Sequence, residues 1–304
     1  MLEKFLKKFF IHCYSMNLQP NTIISYESKL KIFNRYINNT NIQDISEITS
    51  ETVREFLAFH KSRVSKTTIK QYYVVLNIFF GFLKKDKLVT ENIIDDISKP
   101  RVPKRDIRAF SNSEVNMILK HFDRNTFNGF RNYAIMTTLF ATGMRISELC
   151  NLQAVDIMFE LNVINIIGKG DKQRKIPISE TLRKILIKYF KMRNEYVDEK
   201  KLFQSRHFFI TRNATQMTRD NIEWLFIKIR QHYNLDTERF SPHTFRHTFA
   251  KNYLLNGGDI FSLQKMLGHS KIETTKKYIT LNDKEIKMQN DRFNPLDNQR
   301  WQYY

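Results

Sequence analysis

Residues 141–149 read Ala141-Thr142-Gly143-Met144-Arg145-Ile146-Ser147-Glu148-Leu149. The pattern before them, Phe130–Thr142, is that of a helix. Gly143 suits its end, because glycine takes the left-handed conformation there without a Cβ clash. Ser147 and Glu148 suit the first turn of a second helix. Arg145 is thereby predicted at a helix junction, near unpaired backbone N–H groups that favour an anion, where a guanidinium can fork onto two phosphate oxygens. By itself the motif is also compatible with a surface arginine at a helix start.

Toward the C-terminus, Val163–Ile167 and Ile176-Pro177-Ile178 flank Gly168-Lys169-Gly170-Asp171-Lys172-Gln173-Arg174-Lys175. Two short apolar runs around a polar turn with two glycines predict a hairpin. Helices are predicted at Ser113–Phe122, Ser179–Arg193, Thr218–His232, His243–Asn256, Ile260–Leu267, Glu273–Tyr278 and Asn282–Arg292. Toward the N-terminus, Ser98–Lys104 (SKPRVPK) holds two prolines within four residues, which oppose helix and mark a basic linker. Before it, Ile23, Tyr26, Leu30, Phe33 and Ile37 recur at helical spacing, capped by Asn21 or Thr22 and running to Asn38. Thr49-Ser50 opens a helix carrying Val53, Phe56, Leu57 and His60. Ser65-Lys66-Thr67-Thr68 leads into another carrying Ile69, Tyr72, Tyr73, Leu76, Phe79, Phe80 and Leu83. With the N-terminal helix these make four, and the aromatic stripes read as core rather than as base-stacking platforms. The expected fold is mainly α with a small β-sheet or hairpin in the second half: an all-α domain over 1–98, a basic linker over 99–107 and a larger α+β domain over 108–304, whose tail begins at about 281.

Composition bounds the partners. The chain has 304 residues, 41% hydrophobic and 27% charged, enough for two domains with their own cores. No apolar run approaches the ~20 residues of a membrane span. The basic, amphipathic MLEKFLKKFFIHCY lacks the apolar centre of a signal peptide. Cys13 and Cys150 are too few for a disulfide framework, and a reducing cytoplasm is expected. The formal charge is +19, with 17 basic against 10 acidic residues in 1–104 and 33 against 21 in 105–304. A surplus in both halves favours an extended polyanion, although lysine can also simply solvate a surface.

The sequence holds no P-loop, no nucleotide-binding glycine fingerprint, no HExxH and no paired Cys/His cluster, so no cofactor or metal is expected. It does hold three more short motifs. In the hairpin turn, Lys169 can donate a proton or contact a phosphate. In Pro242-His243-Thr244-Phe245-Arg246-His247-Thr248-Phe249-Ala250, His243 and Arg246 share a helix face, and His243 can transfer a proton near neutral pH. In Leu267-Gly268-His269-Ser270 followed by Glu273-Thr274-Thr275-Lys276-Lys277-Tyr278-Ile279, the Tyr278 phenol is a weak nucleophile that surrounding cations would assist. Each motif alone also fits an ordinary solvated turn, helix start or half-buried tyrosine. Together they supply two arginines, a lysine, two histidines and a tyrosine, the inventory of a metal-free phosphoryl transfer.

This constellation resembles the tyrosine site-specific DNA recombinases of the compact Xer or phage-integrase type, over nearly the whole chain. ATGMRISEL is similar to that family's first box, and HTFRHTFA with LGHS and TTKKYI to its second. The spacings agree: 24 residues from Arg145 to Lys169, three from His243 to Arg246, 23 from Arg246 to His269 and nine from His269 to Tyr278. The resemblance implies that Arg145 and Arg246 bind the scissile phosphate, and that Lys169 is the general acid for the leaving 5′-hydroxyl. It implies His243 as general base or phosphate contact, His269 as a hydrogen-bond partner of the phosphate, and Tyr278 as the nucleophile that forms a 3′-phosphotyrosyl bond. Glu148 is read as orienting the Arg145 helix.

The resemblance further implies a C-shaped clamp, with the N-terminal domain binding the core site and the second domain catalytic. Four protomers would act on two inverted-repeat sites in double-stranded DNA through a Holliday junction, as a homotetramer or with a paralogous recombinase, with accessory proteins open. The tail from about 281 would dock into a neighbouring protomer. Lys66, Thr67, Lys70, Arg101, Lys104, Lys172 and Arg174 are further candidate DNA contacts. The expected location is the bacterial cytoplasm, at the nucleoid. Chromosome- or plasmid-dimer resolution, transposon cointegrate resolution and integration of a mobile element compete as roles. A type IB-like topoisomerase and a DNA-binding protein without chemistry are the alternatives.

Overall fold

The computed structural model describes residues 2–103, 109–168, 173–235, 240–276 and 283–293. The chain divides into two compact units, Met1–Arg105 and Asp106–Tyr304. No helix among the described residues is long and apolar enough to cross a membrane.

The first unit is built of α1 (Glu3–Ser15), α2 (Pro20–Asn38), α3 (Ser50–His60) and α4 (Lys66–Lys85). α2 starts ahead of Asn21 because Pro20 occupies the first helical position, where its fixed φ fits and its missing N–H costs nothing. α4 starts where the sequence suggests: the Ser65 hydroxyl accepts from Thr68 N at 3.2 Å. The aromatic stripes meet inside. Phe33 and Phe56 pack edge to face at 5.1 Å, as do Phe9 and Phe79 at 5.4 Å. All four rings are at most 1% exposed, and burying each contributes roughly 1.5–3 kcal/mol. They are core, and none is available to stack on a base.

The second unit contains α5 (Asn112–Lys120), α6 (Phe127–Thr142), α7 (Ile146–Asn151), β1 (Ile157–Met158), β2 (Val163–Ile167) and β3 (Gln173–Pro177). These are followed by α8 (Glu180–Glu199), α9 (Arg219–His232), α10 (Pro242–Leu255), α11 (Ile260–Leu267), α12 (Ile272–Lys276) and α13 (Asp283–Phe293). The three strands form an antiparallel sheet in the order β1-β2-β3, with Ile164 opposite Ile176 and Ile166 opposite Arg174. The hairpin is therefore present, with two differences. β1 joins it, a strand of two residues and too short to show any period. β3 begins at Gln173, so Arg174 belongs to the strand and not to the turn. α6 begins at Phe127 because the Thr126 hydroxyl caps it, accepting from Gly129 N at 3.1 Å. α8 continues six residues beyond Arg193, with Tyr196 stacked on Phe127 at 4.0 Å.

α10 is the central helix. Residues Thr244–Ala250 are all buried, polar ones included, because α6 and α11 pack against it. Thr248 shows how polarity is tolerated there: its hydroxyl donates to Thr244 O at 2.7 Å and accepts from Phe110 N at 2.9 Å. The described part of the tail lies on the same chain's α10. Gln289 Nε2 donates to Leu254 O and Leu255 O at 3.2 and 2.9 Å, and Lys251 pairs with Glu285 at 2.7 Å.

Gly143 ends α6 at φ +60°, ψ 17°, and a Cβ there would lie 2.4 Å from the Phe249 ring. Gly143→Ala combines left-handed strain with overpacking, so a loss of about 2–4 kcal/mol is expected. Urea unfolding checks this as a lowered midpoint at unchanged slope.

Candidate active site

Three segments of the second unit meet at the site. The first is the α6–α7 junction. Arg145 is the N-cap residue of α7, extended at φ −75°, ψ 151°. Glu148, three residues on, accepts from Arg145 N at 2.8 Å through Oε2 and from Arg145 Nη1 at 2.9 Å through Oε1. The same carboxylate takes a bidentate fork from Arg174, 2.9 Å to Oε1 and 2.7 Å to Oε2. The Glu148 side chain is only 6% exposed. Burial alone would raise its pKa, but the hydrogen bonds from Arg174 and Arg145 overcome that and hold it below the ordinary carboxylate value.

The second is α10, and the third is the end of α11 with the turn to α12. Arg246 is 5% exposed and bridges them. Its Nη1 donates to Gly143 O at 2.6 Å, and its Nη2 to Leu267 O at 2.7 Å. Both acceptors lie at helix C-termini, where the carbonyl dipoles favour a cation. Nη2 also meets His269 Nε2 at 2.8 Å, and His269 Nδ1 meets Thr275 Oγ1 at 2.9 Å. A guanidinium has only donors, so Nε2 is the acceptor and Nδ1 carries the proton. In this state His269 holds Arg246 and α12, which leads toward Tyr278.

His243 sits at the start of α10, partly open to solvent. Partial burial lowers its pKa, as do the charges of Arg246, Arg219 and Arg145, against a weaker pull from Glu223. It is therefore neutral at pH 7 and able to accept a proton. The charges of Arg246 and Arg145 therefore both act on His243.

Lys104, Lys169, Lys172 and Tyr278 lie outside the described residues. Arg174, expected among the DNA contacts, turns inward: Nε donates to Met266 O at 2.8 Å and the other nitrogens to Glu148. Alternation along β3 carries this signal, because Arg174 shares a face with the fully buried Ile176. In the first unit Lys66, Thr67 and Arg101 are exposed and Lys70 is half-buried. Lys66 and Arg101 border one apolar groove of about 670 Å³ together with Lys61, which the sequence reading did not single out. Thr275, Arg219 and Glu223 were also missed. Arg219 and Glu223 pair at 2.7 Å, and their i, i+4 spacing on α9 is legible, but their nearness to His243 is tertiary. Among the described residues no cluster of three or more His, Cys, Asp or Glu could hold a metal ion.

Residues 108–285 match the model of the phage integrase family, and residues 11–87 match the phage integrase SAM-like domain. The chain belongs to the phage integrase family. It is thus a tyrosine recombinase, an enzyme that cleaves and rejoins DNA. Tyrosine recombinase XerC of Bacillus licheniformis is 31% identical over 263 residues, 86% of this chain and 86% of that protein. Tyrosine recombinase XerD of Staphylococcus haemolyticus is 29% identical over 299 residues, 97% and 98% of the two chains. Among solved structures, the Tn1549 transposon integrase in complex with transposon right end DNA superposes with a TM-score of 0.76 at 20% identity, covering 95% of this chain and 98% of that one. The XerH site-specific recombinase bound to a palindromic difH substrate gives 0.73 at 21%, covering 95% and 83%. These two structures share the fold of this recombinase.

The site makes the stability of the recombinase depend on pH. Burial, then the charges of Arg246, Arg145 and Arg174, push His269 from 6.5 down to about 4, against Glu148. The folded pKa lies below the unfolded one, so the contribution is complete above about pH 6.5. Below that the unfolded chain binds a proton that the folded chain does not, and stability falls toward pH 4. Thermal midpoints should fall between pH 7.5 and 5, and fall less in His269→Asn.

Proposed function

We propose that this recombinase cuts one specific inverted-repeat DNA site by attack of the Tyr278 phenol on the scissile phosphorus. The new bond is a 3′-phosphotyrosyl ester, and the bond that breaks is that to the 5′-oxygen. Neutral His243 takes the phenol proton and Lys169 supplies the proton that the leaving 5′-hydroxyl needs. Arg145 and Arg246 neutralise the phosphate as charge builds on it. His269 orients Arg246 and, through Thr275, the helix that leads to Tyr278. Religation runs the step backwards, and the ester conserves the bond energy, so neither ATP nor a metal enters. The observation that carries this reading is the fixing of Arg246 by Gly143 O, Leu267 O and His269.

The rest of the proposal is assembly. The helical first unit, with Lys66, Thr67, Lys70, Arg101 and Lys104, binds the core site in addition to the second unit. Lys172 adds a contact from the hairpin. Four protomers on two sites exchange strands through a Holliday junction, as one kind of chain or with a paralogue, in the cytoplasm. Resolution of chromosome or plasmid dimers, or of transposon cointegrates, is the role proposed. Similarity to proteins called XerC and XerD over most of both chains supports it.

The test is to denature cells of the host rapidly, recover DNA covalently attached to the protein and sequence the attachment points. Attachment at one short inverted repeat supports the proposal, and the neighbourhood of that site (replication terminus, plasmid or element end) decides the role. Attachment scattered over the genome points to a topoisomerase-like activity. No attachment overturns the proposal.

A further inference from the structure

We propose that Arg174 is a positioning residue that locks Glu148, and through it Arg145, to the strand carrying the Lys169 hairpin and to the helix end preceding His269. The proposal rests on reading Arg145, Lys169 and His269 as parts of the phosphate site.

Arg174 stands opposite Ile166 in the sheet, on the face that also presents Ile164 and Ile176 to the core. Its side chain is 11% exposed, and each of its three nitrogens donates: Nη1 and Nη2 to the two oxygens of Glu148, Nε to Met266 O near the end of α11. Gly268 makes that approach possible. At φ +65° it turns the chain toward His269, and a Cβ there would lie 3.1 Å from Arg174 Cδ and 3.2 Å from Nε. One planar group thus joins three elements: β3, whose first residue follows the hairpin; α7, whose N-cap is Arg145; and the end of α11, which precedes the turn that carries His269. Only a guanidinium has this fork, since an ammonium is a single point charge on a flexible stem.

The arrangement also has a charge logic. Glu148 touches Arg145 directly, and a carboxylate with no other partner would cancel the charge that Arg145 brings to a phosphate. Arg174 supplies a second cation, so the trio of two arginines and one glutamate keeps a net positive charge, with Arg174 and Glu148 covered and the Arg145 side chain 42% exposed. Arg174 therefore acts through Glu148 and Arg145. A direct phosphate contact and a purely structural staple both predict different behaviour.

The probe is a duplex carrying the site mapped by covalent capture, nicked so that the cleaved complex is trapped. Single-turnover rate constants for adduct formation are measured at saturating protein, beside duplex affinity across a series of salt concentrations. The variants are R174K, R174Q, E148Q and the R174Q/E148Q double. R174Q is expected to cleave about 100-fold more slowly and R174K about 10-fold, as for misplaced catalytic groups. Duplex affinity should change by less than about threefold, with the salt slope unaltered, because no phosphate contact is lost. The double variant should be within about twofold of R174Q, because both substitutions break one lock.

A salt slope smaller by about 0.9 with an unchanged rate constant would make Arg174 a phosphate contact and overturn the proposal. So would a lower melting temperature and fewer active molecules, with normal rate constants in those that remain. If R174Q does not fold, R174K decides by the same criteria. Adduct formation by the wild-type chain with unaltered rates in both Arg174 variants overturns the positioning role alone. No adduct from the wild-type chain overturns the reading of the site itself.

Discussion

Tyr278→Phe is expected to leave no recoverable protein–DNA adduct, a fall of at least about 10⁴-fold, while affinity for the mapped duplex stays within about twofold. The substitution removes one oxygen and keeps the ring, so packing and charge are unchanged. What goes is the only atom proposed to bond to phosphorus. Water cannot substitute within the same chemistry, because hydrolysis would give a free 3′ end and no adduct. The comparison therefore separates three outcomes. Adducts in the wild-type chain that vanish in Tyr278→Phe fix the nucleophile. Adducts that persist move it elsewhere, and the repeat of hydroxyls in Thr274-Thr275 is the first place to look. Equal affinity without adducts in either protein reduces the chain to a DNA binder. Denaturing gel shift of the nicked duplex and native shift of the intact one measure the two quantities side by side.

The sequence made the helices legible wherever capping chemistry and apolar period agreed. Thr49, Ser65, Ser179 and Thr218 each accept a backbone hydrogen bond at a helix start that the sequence marks, whereas Ser111, Thr126 and Ser241 cap helices that begin ahead of the expected Ser113, Phe130 and His243. The starts that moved did so for local reasons, such as Pro20 before Asn21. β1 was hidden because two residues have no period, and it exists only because β2 offers it an edge. The site was legible as a set of residue types at fixed spacings. Its geometry was less so, because the partners of Arg246 are backbone carbonyls 103 and 21 residues away, and carbonyls have no sequence signature. Arg174 is the instructive case. A basic residue beside a Gly-rich turn reads as a DNA contact, yet strand alternation places it with Ile176 on the inner face. The turn reading took precedence over a two-residue period that was available in the same stretch.

Arg246 should show the second large effect, and it should separate two roles that one side chain fills. Arg246→Ala removes a buried cation and leaves Gly143 O and Leu267 O without their donor. Each orphaned carbonyl costs roughly 1–3 kcal/mol, so a loss of about 3–5 kcal/mol is expected. Adduct formation should fall by about 10³-fold or more, since the cation facing the developing phosphate charge is lost. It also removes the leading charge that depresses His269, whose pKa should rise toward its ordinary value as far as burial allows. Arg246→Lys is the discriminating variant. The ammonium keeps the charge and can satisfy one carbonyl, so stability should recover by about half, but it cannot hold Gly143 O, Leu267 O and His269 together. Adduct formation should therefore stay within about tenfold of the alanine variant. If lysine instead restored cleavage along with stability, a point charge would be sufficient at this position. The two helix ends would then be scaffolding for the charge and not the means of aiming it. If cleavage stays low while the fold recovers, α6 and α11 are what orient the guanidinium. The burial of Arg246 then has a chemical reason: a cation fixed by helix-end dipoles needs no reorganisation when the phosphate becomes more negative.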